Sequence, residues 1–176
     1  MACQQTPHWK FDSFVIMARS FMIDQEHETS HGEEDVSTPR ENTARTTPRV
    51  FVADDRKEVL QAVVQVLEGE FKVVGTAEDG MTVLKSVPHF DADILILDIS
   101  MPVLNGIEVA LQLKNARSQA KIVFLTVHED SDFVRAAMSA GAFGYVLKSH
   151  LASDLVPAIR KALKDCTFVS PAIHLT

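Results

Sequence analysis

Short apolar runs alternate with amphipathic helical patterns from Arg49 onward, and this alternation constrains the fold more than any other feature of the sequence. Three of the runs, residues 50–53, 94–97 and 122–125, contain only apolar side chains. A strand without polar alternation is covered on both faces, as in a parallel sheet that lies between two layers of helices. The sequence therefore predicts strands that are buried from both sides.

Two further strand-like runs, at 72–77 and 143–147, bring the number of predicted strands to five. Helical patterns follow each run, and Pro157 inside the last pattern is expected to shift the start of that helix or to kink it. Strict alternation predicts an α/β fold with a doubly wound, five-stranded parallel sheet, right-handed crossovers and strand order 2-1-3-4-5. The predicted helices span residues 56–68, 79–87, 106–115, 130–139 and 151–164.

Charge and composition divide the chain into three parts. Residues 24–47 carry seven acidic and two basic side chains with almost nothing apolar, which predicts a disordered linker. Together with the residues before it, this linker forms a predicted N-terminal extension, 1–47. The folded domain is expected at 48–170, and a C-terminal tail at 171–176.

Segment 9–23 allows two interpretations. Its apolar side chains recur at the spacing of an amphipathic helix, which would suit docking to a partner or to a membrane surface. Alternatively, translation begins at Met22 and the preceding residues are not part of the protein. The pattern by itself leaves both interpretations open.

The overall composition excludes several classes of protein. No apolar run reaches the roughly 18 to 20 residues of a membrane span, and no secretory signal with a cleavage site is present. The two cysteines, Cys3 and Cys166, lack the spacing of zinc ligands. The formal net charge of −7 argues against direct binding to nucleic acid. A cytoplasmic location is therefore expected.

Polar side chains stand where the predicted strands end. Asp54 and Asp55 follow the first strand, Asp98 the third, Thr126 ends the fourth, and Lys148 follows the fifth. In a doubly wound sheet, ligands bind beyond the carboxyl ends of the strands, at the crevice between strands 1 and 3. The sequence thus predicts that three carboxylates, a hydroxyl and an ammonium converge at one edge of the sheet.

Each of these residues has an ordinary explanation when it is taken alone. An aspartate after a strand is commonly a helix cap or turn residue, and a lysine is commonly solvated. Together, however, three carboxylates repel one another unless a cation or a proton compensates them. A hard divalent cation such as Mg²⁺ fits this set of oxygens. Phosphoryl capture on an aspartate is the chemistry that such a cluster suggests.

Four segments of the chain resemble the receiver domain of two-component response regulators, over about residues 49–170. The alanine and two aspartates at 53–55 match the family, as does the run Leu-Asp-Ile-Ser-Met-Pro at 97–102 with Asn-Gly at 105–106. The amino-acid sequence of these segments is most similar to that of the NarL/FixJ-type subfamily. The remaining matching segments are 125–126 and 140–148.

The resemblance implies a role for each residue of the cluster and a flavodoxin-like fold. Asp98 would be the phosphoacceptor, and Lys148 would pair with the phosphoryl group. Mg²⁺ or Mn²⁺ would be held by Asp54, Asp55, Asp98 and the backbone carbonyl of Ser100. No other cofactor is implied.

The resemblance also implies a conformational switch. Thr126 would turn its hydroxyl toward the phosphoryl group, and the ring of Tyr145 would follow inward. The affected surface would be helix 4, strand 5 and helix 5. Ser100 and His128 flank the site, where they would tune the lifetime of the phosphoryl group. Alternatively, His128 is a surface loop residue without a catalytic role.

Partners follow from the same resemblance. A sensor histidine kinase or a phosphotransfer protein would supply the phosphoryl group, and the output would be an unknown downstream protein or a phosphorylation-dependent homodimer. The protein would not be an enzyme beyond its own phosphorylation and dephosphorylation. Only 11 residues follow Asp165, too few for the subfamily's helix-turn-helix domain, so direct DNA binding is not expected.

Several alternatives compete with this interpretation. The chain could be the receiver fragment of a DNA-binding regulator, or a scaffold that is not phosphorylated. A flavodoxin-like FMN binder is disfavoured because Asp54 and Asp55 would repel a phosphate in the absence of metal. A haloacid-dehalogenase-type phosphatase would require DxDx[TV] after the first strand, where this sequence has ADDRK.

Overall fold

The apolar runs form the strands of one parallel sheet in the computed structural model, which describes residues 47–174. The strands pair in the order β2-β1-β3-β4-β5-β6, and every pairing is parallel. The predicted α/β architecture and the order of its first five strands are confirmed. The strands are β1 (Arg49–Ala53), β2 (Lys72–Ala77), β3 (Ile94–Leu97), β4 (Lys121–Thr126), β5 (Gly144–Leu147) and β6 (Phe168–Val169).

Helices cover the sheet from both sides, as the uninterrupted apolar strands require. Two buried apolar clusters result: one contains Val63 and Ile159 from the first and last helices, and the other contains Val83, Val109 and Val134 from the three helices between them. The four residues of β3 are all buried. The helices are α1 (Lys57–Leu67), α2 (Gly80–Phe90), α3 (Gly106–Asn115), α4 (Ser131–Ser139) and α5 (Leu151–Leu163), with a 3₁₀ turn at Lys148–His150 before α5.

The sheet has six strands rather than the predicted five. After α5 the chain returns along the open edge of β5, where the Phe168 N–H donates to the Phe143 carbonyl (2.9 Å) and the Ser170 N–H donates to the Tyr145 carbonyl (2.8 Å). These bonds satisfy backbone groups that an edge strand would otherwise leave unpaired. A strand of two residues is too short to show a periodic pattern, which is why the sequence did not predict it.

The prolines do not end the helices that contain them. Helix α5 begins at Leu151, so of the two effects predicted for Pro157 the shifted start is wrong, and the kink stays a prediction. Helix α2 continues to Phe90, past Pro88 and three residues beyond its predicted end. In both cases the amphipathic pattern continues on either side of the proline, and packing against the sheet offsets the lost hydrogen bond.

Two predictions for the N-terminal extension lie outside the described residues: the helix at 9–23 and, except for its last residue, the acidic linker at 24–47. At the other end, Ile173 is buried in the same apolar cluster as Tyr145. Within residues 47–174, no helix has both the length and the apolar character needed to cross a bilayer.

Candidate functional site

Three carboxylates meet where β1 and β3 end. Asp54 and Asp98 are almost fully buried, whereas Asp55 is exposed at the mouth of the site. Oxygen atoms from the three side chains all lie within 4.8 Å of one another. Asp54 and Asp98 are held side by side because their strands are neighbours, and the Asp98 N–H donates to the Ala53 carbonyl (2.9 Å).

Lys148 extends from the turn after β5 into this cluster. Its ammonium nitrogen lies 2.6 Å from Asp54 Oδ2 and 2.9 Å from Asp98 Oδ2. The lysine side chain is itself only 9% exposed, so both ion pairs are shielded from water. Thus the structure brings together the three aspartates and the lysine that the sequence singled out.

Negative side chains outnumber positive ones in the cluster. Burial raises the pKa of Asp54, while the Lys148 ammonium and the Arg56 N–H, which donates to Asp54 Oδ1 at 3.0 Å, act in the opposite direction. Asp98 Oδ1 is buried and accepts no hydrogen bond from the described residues. Among residues 47–174, one ammonium therefore faces three carboxylates, and one carboxylate oxygen has no donor.

This donor set fits a hard divalent cation. Mg²⁺ prefers carboxylate and carbonyl oxygens and binds through a few of them while keeping water ligands. The exposed Asp55 leaves the cluster open to solvent, and the unpartnered Asp98 Oδ1 is an acceptor suited to an electropositive group. Asp54, Asp55 and Asp98 are the residues that could hold the ion.

The loop after β3 depends on a close backbone approach at Gly106. A Cβ atom at this position would lie 2.0 Å from the Asp98 carbonyl oxygen, and the Gly106 N–H donates to the Ile99 carbonyl (2.9 Å). Asn105 and Glu108 complete a capping box that starts α3 directly behind this contact. The absence of a side chain at residue 106 is thus what allows α3 to begin against the backbone of Asp98.

Thr126 and Tyr145 both bond to the backbone of His128. Thr126 is fully buried at the end of β4, and its Oγ1 accepts a hydrogen bond from the His128 N–H (3.3 Å). Tyr145 is also fully buried, and its hydroxyl donates to the His128 carbonyl (2.9 Å). Burial, together with the charges of Asp130 and Asp98, raises the pKa of Tyr145, so the phenol keeps the proton that it donates.

The ring of His128 has contacts that the sequence did not predict. Its Nε2 lies 2.7 Å from Ser100 Oγ in the loop after β3, and the ring stacks on Phe133 of α4 with centroids 4.1 Å apart. His128 therefore connects the loop that follows Asp98 with helix α4. A histidine two residues after a strand-end threonine gave no signal of these contacts, because both partners come from other segments.

The sequence analysis also missed Asp154 of α5, which is buried and accepts a hydrogen bond from Ser170. A signal was present, since Asp154 falls within the stripe of buried positions that includes Leu155, Ala158 and Ile159. An acidic residue within an apolar stripe requires a partner, and the sequence did not indicate which one.

Comparisons with known proteins identify the family of the chain. The family profile described as "Response regulator receiver domain" matches residues 50–160. The chain is 35% identical to the uncharacterized transcriptional regulatory protein YvfU of Bacillus subtilis over 127 residues, which are 71% of this chain and 64% of that protein. It is 33% identical to the response regulator GacA of Pseudomonas aeruginosa, covering 71% of this chain and 59% of that protein. The chain thus spans between half and two thirds of the length of these curated relatives.

Solved structures show the same similarity. A LuxR-family two-component response regulator from Aurantimonas is 31% identical, with a TM-score of 0.69 over 72% of this chain and 92% of that chain. The isolated receiver domain of RcsB from Salmonella enterica, solved in the presence of phosphomimetic BeF₃⁻, is 29% identical, with a TM-score of 0.67 over 72% of this chain and 96% of that chain.

Proposed function

Because the chain belongs to the response regulator receiver domain family, we propose that it accepts a phosphoryl group on Asp98 in a Mg²⁺-dependent reaction. Phosphoacceptor signalling is the function of this family. The observation that carries the assignment to Asp98 is its buried Oδ1, which has no hydrogen-bond partner among the described residues, while Oδ2 is held by Lys148 at 2.9 Å. A carboxylate held by one oxygen and unpartnered at the other is oriented to act as a nucleophile.

In the proposed reaction an Asp98 oxygen attacks the phosphorus of the donor, and the bond from phosphorus to the donor's leaving group breaks. Lys148, now paired with Asp54 and Asp98, offsets the charge of the transferred oxygens. Mg²⁺ or Mn²⁺, held by Asp54, Asp55, Asp98 and the Ser100 carbonyl, would supply further neutralisation of that charge. Attack by water on the same phosphorus breaks its bond to the Asp98 oxygen, which releases inorganic phosphate and returns the free carboxylate.

The proposed donor is the phosphohistidine of a sensor histidine kinase or of a phosphotransfer protein, in the cytoplasm. The chain catalyses only its own phosphorylation and dephosphorylation in this scheme. Asp55 stands exposed at the mouth of the site, which supports access by a macromolecular donor.

The proposed output begins at Thr126. Its hydroxyl oxygen now accepts a hydrogen bond from the His128 N–H, and donation toward a phosphoryl oxygen would weaken that contact. Tyr145 holds the carbonyl of the same residue, so the loop after β4 and helix α4 would respond together. The surface of α4, β5 and α5 would then present a changed shape to a downstream protein or to a second copy of the chain.

Intact mass after incubation with acetyl phosphate and Mg²⁺ tests the phosphoacceptor. Wild type should gain one phosphoryl group, and Asp98→Asn should gain none. Asp132→Asn, which removes an exposed carboxylate of α4, is the matched control and should behave as wild type. An acid-labile adduct of equal yield on Asp98→Asn would overturn the assignment.

Amide exchange and sedimentation with beryllofluoride test the switch. Wild type should change its protection on α4 and β5, whereas Thr126→Ala and Tyr145→Phe should each reduce that change. If wild type and both variants show the same protection and the same association state, the proposed conformational switch is wrong, even if Asp98 is phosphorylated.

A further inference from the structure

The turn that carries Lys148 is held by a buried hydrogen-bond relay from the C-terminal segment. The N–H of Leu147, the residue before Lys148, donates to Ser170 Oγ (3.1 Å). The Ser170 hydroxyl in turn donates to Asp154 Oδ2 (2.7 Å) on α5. The hydroxyl thus accepts one bond and donates one, and its donating bond ends on a carboxylate.

A second serine holds the other end of the same turn. Ser153 Oγ lies 3.1 Å from the His150 carbonyl and 2.8 Å from Asp154 Oδ1, and its single proton is shared between these two acceptors. Both oxygens of Asp154 are therefore engaged. Leu147, just before the turn, and His150, its last residue, are each linked to this carboxylate through a serine hydroxyl.

Burial makes this relay strong. Ser170 is 1% exposed and Asp154 is 9% exposed, so water competes little for their hydrogen bonds. The Ser170 N–H also donates to the Tyr145 carbonyl, so Ser170 bonds to β5 both through its backbone and through its side chain. Its hydroxyl adds one more hydrogen bond to the β5–β6 pairing, at Leu147, the residue that precedes Lys148.

The position of the turn matters because a lysine side chain is long and flexible. The Lys148 ammonium, at the end of a side chain that is only 9% exposed, approaches two carboxylates at 2.6 and 2.9 Å. A small displacement of the backbone would move the ammonium out of contact with one of them, and misplacement of a catalytic group by about 1 Å can cost about a hundredfold in rate.

We propose that Ser170 and Asp154 are positioning residues for phosphorylation, which act through Lys148 by fixing the backbone of its turn. This inference rests on the proposed function of Asp98. It also makes segment 168–173 part of the machinery of the site, because that segment supplies the serine. The competing explanation is that the relay only joins α5 to the edge of the sheet.

Phosphorylation kinetics with acetyl phosphate at saturating Mg²⁺ test the proposal. Ser170→Ala should lower the rate constant about tenfold, since it leaves the Leu147 N–H without an acceptor and frees the turn. The Mg²⁺ affinity should stay within about twofold of wild type, because Lys148 is not a metal ligand. Asp154→Asn, which can accept only one of the two serine hydroxyls, is a second variant of nearly unchanged volume and should show a loss in the same direction.

A matched control separates positioning from loss of stability. Val169→Ala trims the same segment but leaves the relay intact, so its rate constant should match that of wild type at a temperature where all variants are folded. Thermal unfolding of each variant establishes that temperature.

A double-mutant cycle tests whether Ser170 acts through Lys148. In a Lys148→Ala background, Ser170→Ala should cause no further loss of rate. Equal losses in both backgrounds, a Ser170→Ala rate within twofold of wild type, or rate and Mg²⁺ affinity that fall in proportion would each overturn the proposal. A wild-type protein that gains no phosphoryl group would overturn the proposed function, and this inference with it.

Discussion

The Tyr145 hydroxyl donates a hydrogen bond to the backbone carbonyl of His128, across 2.9 Å. The same histidine donates its N–H to Thr126 Oγ1 and contacts Ser100 and Phe133 with its ring. One loop residue therefore touches β4, β5, α4 and the loop that follows Asp98. His128 therefore connects Thr126 with helix α4.

Replacing Tyr145 with phenylalanine should loosen this loop. The ring would remain, but the His128 carbonyl would lose its donor, which should lower the free energy of unfolding by about 1 kcal/mol. Chemical denaturation measures this change, and amide exchange of residues 127–130 should become faster. Unchanged exchange there would show that the hydrogen bond does not restrain the loop.

The same variant should alter the response to alkali. Because the pKa of Tyr145 is raised in the folded state, its contribution to stability is present below the unfolded pKa of about 10 and is lost as the pH rises further. Wild type should therefore lose stability more steeply above pH 10 than Tyr145→Phe. Parallel stability curves up to pH 11 would contradict the raised pKa.

Replacing Asp54 with asparagine should stabilise the metal-free protein at neutral pH. Burial raises the pKa of Asp54, so the stability that the wild-type carboxyl contributes is present below its unfolded pKa of 3.8 and is lost as the pH rises through the folded pKa. Asparagine does not titrate and can still accept from the Arg56 N–H. We expect the free energy of unfolding of Asp54→Asn to exceed that of wild type by about 1 kcal/mol at pH 7 in excess EDTA. A gain of this size is common for stabilising substitutions.

The gain from Asp54→Asn should shrink toward zero near pH 4, where the wild-type carboxyl takes up a proton. Denaturation curves at pH 4 and pH 7 make this comparison. A gain that is equal at both pH values, or a loss at pH 7, would contradict the electrostatic explanation.

Mg²⁺ should stabilise the wild-type protein through the carboxylate cluster. A ligand at 100 times its dissociation constant adds about 2.7 kcal/mol to the free energy of unfolding, and EDTA should abolish this gain. Asp55→Asn is the informative variant, since Asp55 is exposed and its replacement should change the metal-free stability by no more than about 0.5 kcal/mol. Thermal unfolding should show a much smaller Mg²⁺ effect in that variant. An equal Mg²⁺ effect in wild type and in Asp55→Asn would show that Asp55 does not bind the ion.

Introducing a side chain at Gly106 should disturb Asp98 directly. The new Cβ would lie 2.0 Å from the Asp98 carbonyl oxygen, so the backbone has to move, at a cost of about 3 kcal/mol. Gly69→Ala is the matched control: its φ of +84° makes alanine strained, but a Cβ there meets no atom of the described residues within 4 Å, so the cost should be about 1 kcal/mol. Phosphorylation should slow only in Gly106→Ala.

The carboxylate cluster could be predicted because it depends on one topological rule. Parallel strands end at one edge of the sheet, so Asp54 after β1 and Asp98 after β3 had to lie close together once the order of the strands was known. The sequence could not indicate that Asp98 Oδ1 has no donor in the part of the chain that the structure describes, because the pairing of a single oxygen depends on side-chain positions.

The contacts that connect the site with the rest of the fold were beyond the sequence. The relay from Asp154 to Ser170 joins residues 16 positions apart, and β6 is too short to show a period. Most hydrogen bonds of His128 are made by its backbone N–H and carbonyl. Almost every residue has these two groups, so a pattern of side chains does not predict such bonds.

The sequence by itself determined which segments form the helices and the first five strands, which faces are buried and which polar residues stand at the ends of the strands, because these properties follow from local periodicity. Only the tertiary structure decided that Lys148 reaches Asp54 and Asp98, that Tyr145 bonds to His128, and that the chain returns to pair with β5. Each of these contacts requires two distant segments to approach within a few ångströms, and that distance is set by the packing of the whole domain.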